Sequence, residues 1–227
     1  MAALRSFAGM RMPRIALIHA VSVAMAPVHE AFRRMWPEAE CVDILDTSLS
    51  RDRERDGRLT ETMTGRFLLL AKYAEDNGAA GILFTCSAFG EAIERAAALA
   101  RVPVLKPNEA MFEAALASGK QLGMLATFAP SVAGMEAEFR DIAGAARSSA
   151  ALDSYCVAGA MGALQAGDGA THDRLLAEAA PRFAECDAVL LAHFSTSRAA
   201  AAVGAAIKCQ VLTAPAAAFA KLKGMIA

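Results

Sequence analysis

Short apolar segments alternate with helix-length segments along the whole chain. In the first half, four short segments are apolar on all sides, as parallel strands covered on both faces are: 14–19, 41–45, 80–85 and 103–105. Helical spacing is found between and after them, at 26–36, 60–76, 89–100 and 108–118. The second half repeats the order, with strands near 121–126, 149–155, 187–192 and 209–213, and helices near 130–143, 171–184, 196–206 and 215–223. This alternation predicts an α/β protein with a doubly wound parallel sheet in each half.

The two halves also match each other at one constant offset of 107 residues, without a gap. The apolar segment 14–18 falls on 121–125, and Leu45 falls on Leu152. A chance match between two periodic apolar patterns is the alternative explanation. A true duplication predicts two pseudo-symmetric lobes that face each other across a cleft.

We place lobe one at 14–119 and lobe two at 120–227, and the last helix of lobe one can cross to the other lobe. Residues 1–13 lack the apolar stretch of a secretion signal, and we interpret them as a leader that precedes the first strand. The charged segment 52–58 is predicted to be a surface loop. Right-handed crossovers would place the functional loops at the carboxyl ends of the strands.

Composition excludes several classes of protein. The 23 Lys and Arg residues nearly balance the 24 Asp and Glu residues, which argues against a nucleic-acid partner. Hydrophobic residues make up 56% of the chain, so a disordered chain is excluded. The mean hydropathy is +0.34, yet charged or polar residues break every apolar run before the ~20 residues that a membrane span needs. We therefore expect no membrane partner.

Five cysteines are present, and no two form a CxxC pair. This arrangement indicates neither a zinc site nor a disulfide framework, and it favours a reducing, cytoplasmic location. Four of the cysteines lie at strand starts or in apolar segments and fit an inert structural role: Cys41, Cys156, Cys186 and Cys209.

Cys86 differs from the other four because it stands where an apolar strand stops and a helix begins. The positive end of a helix dipole can lower a thiol pKa from ~8.5 toward ~7. We interpret Cys86 as a base or nucleophile, and a buried, inert cysteine is the alternative. Adding 107 to 86 gives 193, and residue 193 is His. The repeat therefore predicts that Cys86 and His193 approach the cleft from opposite sides.

The other histidines and the small polar residues at strand ends give weaker signals. His19 is a candidate for the pocket wall, whereas His29 and His172 are expected on helix surfaces. Ser22 and Thr127 follow the first strand of each half, where hydroxyls suit an anion such as a carboxylate, or simply cap helices. No GxGxxG or GxxxxGK loop is present, which disfavours nucleotide or flavin binding, and we expect neither a cofactor nor a metal.

The chain resembles the aspartate/glutamate/hydantoin racemase superfamily, which also includes maleate isomerase and arylmalonate decarboxylase. The resemblance runs from residue 14 to about 222 and depends on the order of several motifs: RIALIHA, GILFTCSAFG, PVLKPNEAM, QLGMLATF and DAVLLAHFSTS. It implies two α/β lobes with a small pocket between them, no pyridoxal phosphate, and a homo-oligomer. Racemases of this type use one cysteine from each lobe to remove and return a proton.

Mapped onto this chain, the resemblance makes Cys86 the first catalytic cysteine, and His193 stands in place of the second. Its substrate-binding positions fall on Ser22, Ser87 and the Thr127 segment. A hydroxyl expected after the second cysteine falls on Phe194, so Ser195 is the nearest substitute. Thr85 and His19 complete the predicted pocket.

We therefore expect a cofactor-independent racemase or isomerase acting at the carbon alpha to a carboxylate. The substrate would be a small amino acid, a dicarboxylic acid or a hydantoin-like compound, and Cys86 and His193 would transfer the proton. The alternatives are a single-cysteine decarboxylase of malonate-type acids, a lyase or hydrolase with a cysteine nucleophile, and a non-catalytic protein that binds small carboxylates.

Overall fold

A computed structural model describes residues 12–226, which form two four-stranded parallel sheets with flanking helices. The first half contains the strands β1 (Arg14–His19), β2 (Glu40–Leu45), β3 (Ala79–Phe84) and β4 (Val104–Leu105). Its helices are α1 (Met25–Met35), α2 (Ser48–Asp56), α3 (Glu61–Asp76), α4 (Gly90–Leu99) and α5 (Glu109–Ser118). The predicted leader, 1–13, lies outside the described residues except for Met12 and Pro13.

The second half repeats this organisation. Its strands are β5 (Gln121–Ala126), β6 (Ala151–Cys156), β7 (Ala188–Leu191) and β8 (Gln210–Thr213). Its helices are α6 (Ala129–Ala145), α7 (Ala160–Gln165), α8 (Gly169–Ala179), α9 (Ala200–Ala206) and α10 (Ala214–Ile226). The strand orders are β2-β1-β3-β4 and β6-β5-β7-β8, and all pairs are parallel. The predicted fold class of two doubly wound α/β lobes is confirmed.

Strand pairing shows how far the 107-residue offset holds. Ile15 pairs with Gly81 in the first sheet, and Leu122 pairs with Ala188 in the second, so β1 and β3 both match their counterparts at 107. The second strands of the two sheets do not match at 107. Arg14 pairs with Glu40 and Gln121 pairs with Ala151, so the offset between β2 and β6 is 151 − 40 = 111. The gapless match is therefore wrong at β2, and the match of Leu45 with Leu152 is a coincidence. The physical reason is the position at which α6 ends: Ala145 lies three residues beyond the counterpart of Met35 at the 107-residue offset, and the connection to the next strand is one residue longer, 146–150 against 36–39.

The charged segment 52–58, predicted to be a loop, lies mostly in helix α2. Only Leu49 of this helix is buried, so its sequence lacks the apolar periodicity by which a helix is recognised. A long-range contact stabilises it instead: the Arg66 guanidinium donates to Asp52 over 2.7 Å and also to Asp46. Gly57 ends the helix with a φ of 65°, in the left-handed region that favours glycine.

Each half places its last helix on the other half. Helix α5 packs against β7, β8 and α6, whereas α10 packs against α1 and β3. The Phe219 ring of α10 meets Phe32 edge-on, with ring centroids 5.0 Å apart. At Gly81 on β3, a Cβ atom would lie 2.8 Å from the Ile226 side chain, so the missing side chain lets α10 approach the first sheet. One buried apolar cluster consequently spans both lobes.

Within residues 12–226, no helix is both long enough and apolar enough to cross a membrane.

Candidate functional site

Cys86 and His193 occupy equivalent places in the two lobes. Each lies two residues beyond its strand, after β3 and β7 respectively, and these strands keep the 107-residue offset. A single 3-10 turn follows each of them closely, at Ser87–Phe89 in lobe one and at Ser195–Ala199 in lobe two. The sequence pairing of these two residues therefore agrees with the strand register.

Both turns lie at the boundary between the lobes. The turn Ser87–Phe89 contacts α6 of the second lobe, and the turn Ser195–Ala199 contacts α1 of the first. Helices α1 and α6 are themselves counterparts, since each follows the first strand of its sheet. In each lobe, the turn after the third strand contacts the first helix of the other lobe. The Cys86 and His193 segments therefore lie on opposite sides of one boundary.

Hydrogen bonding fixes the tautomer of His193. Its Nε2 lies 3.2 Å from the Ser131 hydroxyl, and that hydroxyl donates its only hydrogen to the Phe128 carbonyl over 2.8 Å. The shorter distance assigns that hydrogen to Phe128, and with this assignment Ser131 accepts from an Nε2–H, which leaves Nδ1 as the unprotonated nitrogen of the neutral ring. Burial lowers the pKa of His193 to about 4, so the imidazole is neutral at pH 7.

The backbone of His193 is strained. Its φ of 71° lies in the left-handed region, which a residue with a side chain enters at a cost of roughly 1–2 kcal/mol. Local strain of this kind concentrates at functional sites, where the surrounding structure maintains it. The observation is consistent with a side chain held in place for a purpose other than packing.

Cys86 is half-buried, and its ionisation differs from the sequence-based expectation. Burial raises the pKa of the thiol, and the backbone N–H of Ala88 only partly opposes that effect. The predicted lowering by a helix dipole is wrong because the regular helix α4 begins only at Gly90, so desolvation outweighs the N–H groups near the sulfur. Cys86 is a neutral thiol at pH 7.

The predicted anion-binding hydroxyls fall into two groups. Ser22 and Ser87 are exposed, whereas Ser195 and Thr127 are buried. Thr127 is only 6% exposed, and its hydroxyl oxygen has no hydrogen-bond partner among the described residues. An unsatisfied buried hydroxyl costs roughly 1–3 kcal/mol, so this group is free to bind a ligand atom. That these four side chains bind substrate stays a prediction.

His19 and Thr85 are bonded to each other inside lobe one. His19 is 0% exposed; its Nδ1 lies 2.8 Å from the Thr85 hydroxyl, and its Nε2 lies 2.9 Å from Asp43. The single hydroxyl hydrogen of Thr85 goes either to His19 or to the Ile18 carbonyl, 3.4 Å away. In this arrangement neither side chain offers a free donor to a substrate; that His19 and Thr85 contribute to the pocket stays a prediction.

Sequence reasoning also misplaced one histidine. His172, expected on a helix surface, is fully buried on α8, and its Nδ1 lies 2.8 Å from Asp173. Asp173 in turn accepts from Arg198 over 2.9 Å. The partners Asp43 and Ser131 were missed as well. The contact of Asp43 with His19 depends on the register between β1 and β2, in which Asp43 pairs with Leu17, two residues before His19. Only that register could have suggested Asp43 as a partner.

Comparison with known proteins completes this description. The family model for Asp/Glu/hydantoin racemases matches residues 20–225. The chain belongs to the Asp/Glu/hydantoin racemase family. The resemblance inferred from the motifs is thereby confirmed. The comparison with curated protein sequences finds no match.

Solved structures of the racemase family and its relatives share the fold. An aspartate racemase homologue from Pyrococcus horikoshii is similar with a TM-score of 0.73 at 13% identity, covering 95% of this chain and 99% of the other. An allantoin racemase from Klebsiella pneumoniae gives 0.71 at 15% identity, covering 94% and 87%. A Gly-to-Cys mutant of arylmalonate decarboxylase gives 0.66 at 16% identity, covering 94% and 93%. At such identities these likenesses establish the two-lobe architecture alone.

Proposed function

We propose that this racemase-family protein is a cofactor-independent enzyme that transfers a proton at the carbon next to a carboxylate. His193 and Cys86 are the two proton-transfer groups. The observation that carries the proposal is their complementary protonation: a neutral imidazole with Nδ1 unprotonated on one lobe, and a neutral thiol at the equivalent place on the other.

The chemical step follows from those two states. Nδ1 of His193 removes the alpha proton, so the C–H bond breaks, an N–H bond forms and the electron pair moves onto the carboxylate as an enediolate. The Cys86 thiol then donates its proton to the opposite face of the carbon, leaving a thiolate and an imidazolium. The reverse reaction starts from this second state, and proton exchange with solvent restores the first. At pH 7 the neutral imidazole is the base of this step and the neutral thiol is its acid.

The enediolate intermediate requires hydrogen-bond donors, because the alpha proton of a carboxylate is very weakly acidic in water. Thr127 supplies an unused buried hydroxyl, and Ser22 and Ser87 supply exposed ones after the adjacent strands β1 and β3 of the first sheet. Donors fixed in advance stabilise developing charge without reorganising. A small amino acid, dicarboxylic acid or hydantoin-like compound has the carboxylate or carbonyl that this chemistry needs.

Deuterium exchange tests the proposal. Single enantiomers of small amino and dicarboxylic acids are incubated in deuterated water, and both optical rotation and deuterium content are followed. We expect Cys86→Ala to abolish racemisation while His193 still exchanges the alpha proton of one enantiomer. His193→Asn should abolish both racemisation and exchange at pH 7, because the remaining Cys86 thiol is neutral and cannot remove a proton. Absence of deuterium incorporation across the whole panel would refute the proposal.

A decarboxylase of malonate-type acids is the second candidate, and the neutral Cys86 thiol favours it. Loss of carbon dioxide leaves a carbanion that needs only one proton donor, which Cys86 would supply. Measurement of carbon dioxide release separates this reaction from racemisation. A covalent Cys86 adduct would instead indicate a nucleophilic lyase or hydrolase. Unchanged ligand affinity in Cys86→Ala, with no turnover in either form, would indicate a binding protein.

A further inference from the structure

Three side chains with metal-binding atoms converge on one face of the first sheet. His29, Cys41 and Asp43 each offer one such atom, and these atoms lie within 4.8 Å of one another. Cys41 and Asp43 are two residues apart on β2, so both point to the same face of the sheet. His29 reaches them from α1, the helix that covers this face. The residues outside the described range contain no His, Cys, Asp or Glu.

The donor types and spacings fit a small divalent transition metal. Nε2 of His29 lies 2.8 Å and 2.9 Å from the two carboxylate oxygens of Asp43. Zinc binds nitrogen, oxygen and sulfur at roughly 2.0–2.3 Å in tetrahedral geometry, which spaces its ligand atoms roughly 3–4 Å apart. The present hydrogen bond would have to open by about half an ångström for an ion to enter. Three protein ligands leave the fourth position to water.

The carboxylate of Asp43 is held in place without a Lys or Arg partner. Its ion pairs among residues 12–226 are with His19 and His29. The His19 ring is hydrogen-bonded to Thr85 through Nδ1 and to Asp43 through Nε2. It therefore orients the Asp43 carboxylate, as hydrogen-bonding groups in the outer shell orient metal ligands. A divalent cation would displace the thiol proton of Cys41 and balance the negative charges of the thiolate and of the Asp43 carboxylate.

We propose that His29, Cys41 and Asp43 bind one divalent transition metal ion of the zinc class. The ion would clamp α1 to β2, and α1 contacts the turn Ser195–Ala199 that follows His193. The proposal is independent of the proton-transfer reaction. No metal-binding motif with regular spacing indicates this cluster in the sequence, because one ligand comes from a helix and two come from a strand.

Cobalt and zinc titrations of chelator-treated protein test the site. Co²⁺ is expected to bind in one equivalent and to show thiolate-to-cobalt charge-transfer absorption, which Zn²⁺ then displaces. Cys41→Ser should lose that absorption, and His29→Ala should weaken Zn²⁺ binding at least tenfold. Cys209→Ser, which removes a half-buried thiol from the second lobe, is the matched control and should behave as the wild type.

Thermal melting supplies a second readout. Zn²⁺ at about 100 times its wild-type Kd should raise the Tm of the wild type by several degrees and that of His29→Ala by no more than about half as much. His29 is partly exposed, so this variant should fold, and circular dichroism checks it. If Cys41→Ser does not fold, His29→Ala and Asp43→Asn decide the question. Equal zinc affinity in these variants and the wild type, or a cobalt spectrum without a thiolate band, would overturn the proposal and indicate an adventitious metal only.

Discussion

The Nε2–H of His193 donates to the Ser131 hydroxyl oxygen over 3.2 Å, and this bond selects the basic nitrogen of the ring. Ser131 can only accept here, because its own hydrogen is committed to the Phe128 carbonyl. A histidine without such a partner distributes its proton between two nitrogens. The bond therefore directs the unprotonated Nδ1 away from α6.

Removal of the Ser131 hydroxyl should reduce turnover without destroying the fold. A hydrogen bond of about 1 kcal/mol is lost, so we expect Ser131→Ala to lower kcat roughly fivefold to tenfold and to cost about 1 kcal/mol of stability. Ser197→Ala is the control, since the Ser197 hydroxyl donates to Phe194 and does not touch His193. A kcat for Ser131→Ala equal to that of the control would argue against the tautomer assignment.

His193 should make stability depend on pH. Its pKa is about 4 in the folded protein against 6.5 for a free histidine, so the unfolded chain takes up the proton first. The contribution is fully present above pH 6.5 and is lost as the pH falls toward 4. The difference between the two pKa values corresponds to at most roughly 3 kcal/mol.

Urea unfolding at several pH values measures this contribution. His193→Asn should lose less stability than the wild type between pH 6.5 and 4, while carboxylates and His19 affect both proteins alike. Parallel stability curves for the two proteins would show that His193 is not buried in its neutral form.

The Cys86 thiol should be slow to alkylate. Because burial holds its pKa above the usual 9.0, little thiolate is present at pH 7. Iodoacetamide should therefore modify Cys86 much more slowly than in the urea-unfolded chain, and faster as the pH rises. Peptide mapping by mass spectrometry reads out the modification. Rapid labelling of Cys86 in the native protein at pH 7 would contradict the assignment of a neutral thiol.

Thr127→Val should weaken substrate binding without lowering the stability of the protein. The Thr127 hydroxyl has no hydrogen-bond partner among residues 12–226, so its removal should leave the Tm unchanged or raise it. The same change should raise KM if the hydroxyl binds the substrate carboxylate. Thr64→Val is the matched control: this buried hydroxyl donates to Thr60 over 3.2 Å, and its loss should lower the Tm. An unchanged KM for Thr127→Val would exclude the proposed contact.

The strands were predictable because their signal is local. The central strands β1, β3, β5 and β7 are covered on both faces and are largely apolar, whereas the edge strands β2 and β6 carry polar residues such as Asp43 and Asp153. The predicted ends of all eight strands differ from the observed ones by at most two residues. Helix α2 was not predictable, since its stabilising partner Arg66 lies ten residues beyond its end. The offset error at β2 has another origin: the later end of α6 and the longer connection that follows it shift the register by four residues without changing the alternation of elements.

Within the candidate site, the equivalence of Cys86 and His193 was predictable and their charge states were not. The equivalence needs only the offset between β3 and β7, which the sequence contains. Ionisation depends on burial by elements that are distant in the chain. For Cys86 that burial raises the thiol pKa, whereas the sequence predicted that it would be lowered. The contact of His19 with Asp43 likewise requires the register between two strands.

The exchange of α5 and α10 gives a single chain the covalent form of a domain-swapped dimer. Each half completes the other, so a fragment ending near Gly119 would leave β3 and α1 without the helix that covers them. Neither half should then fold as an autonomous unit. Separating residues 14–119 from 120–227 would require both helices to leave the sheets on which they pack, whereas rotation about the connections β4–α5 and β8–α10 would leave each helix on its sheet.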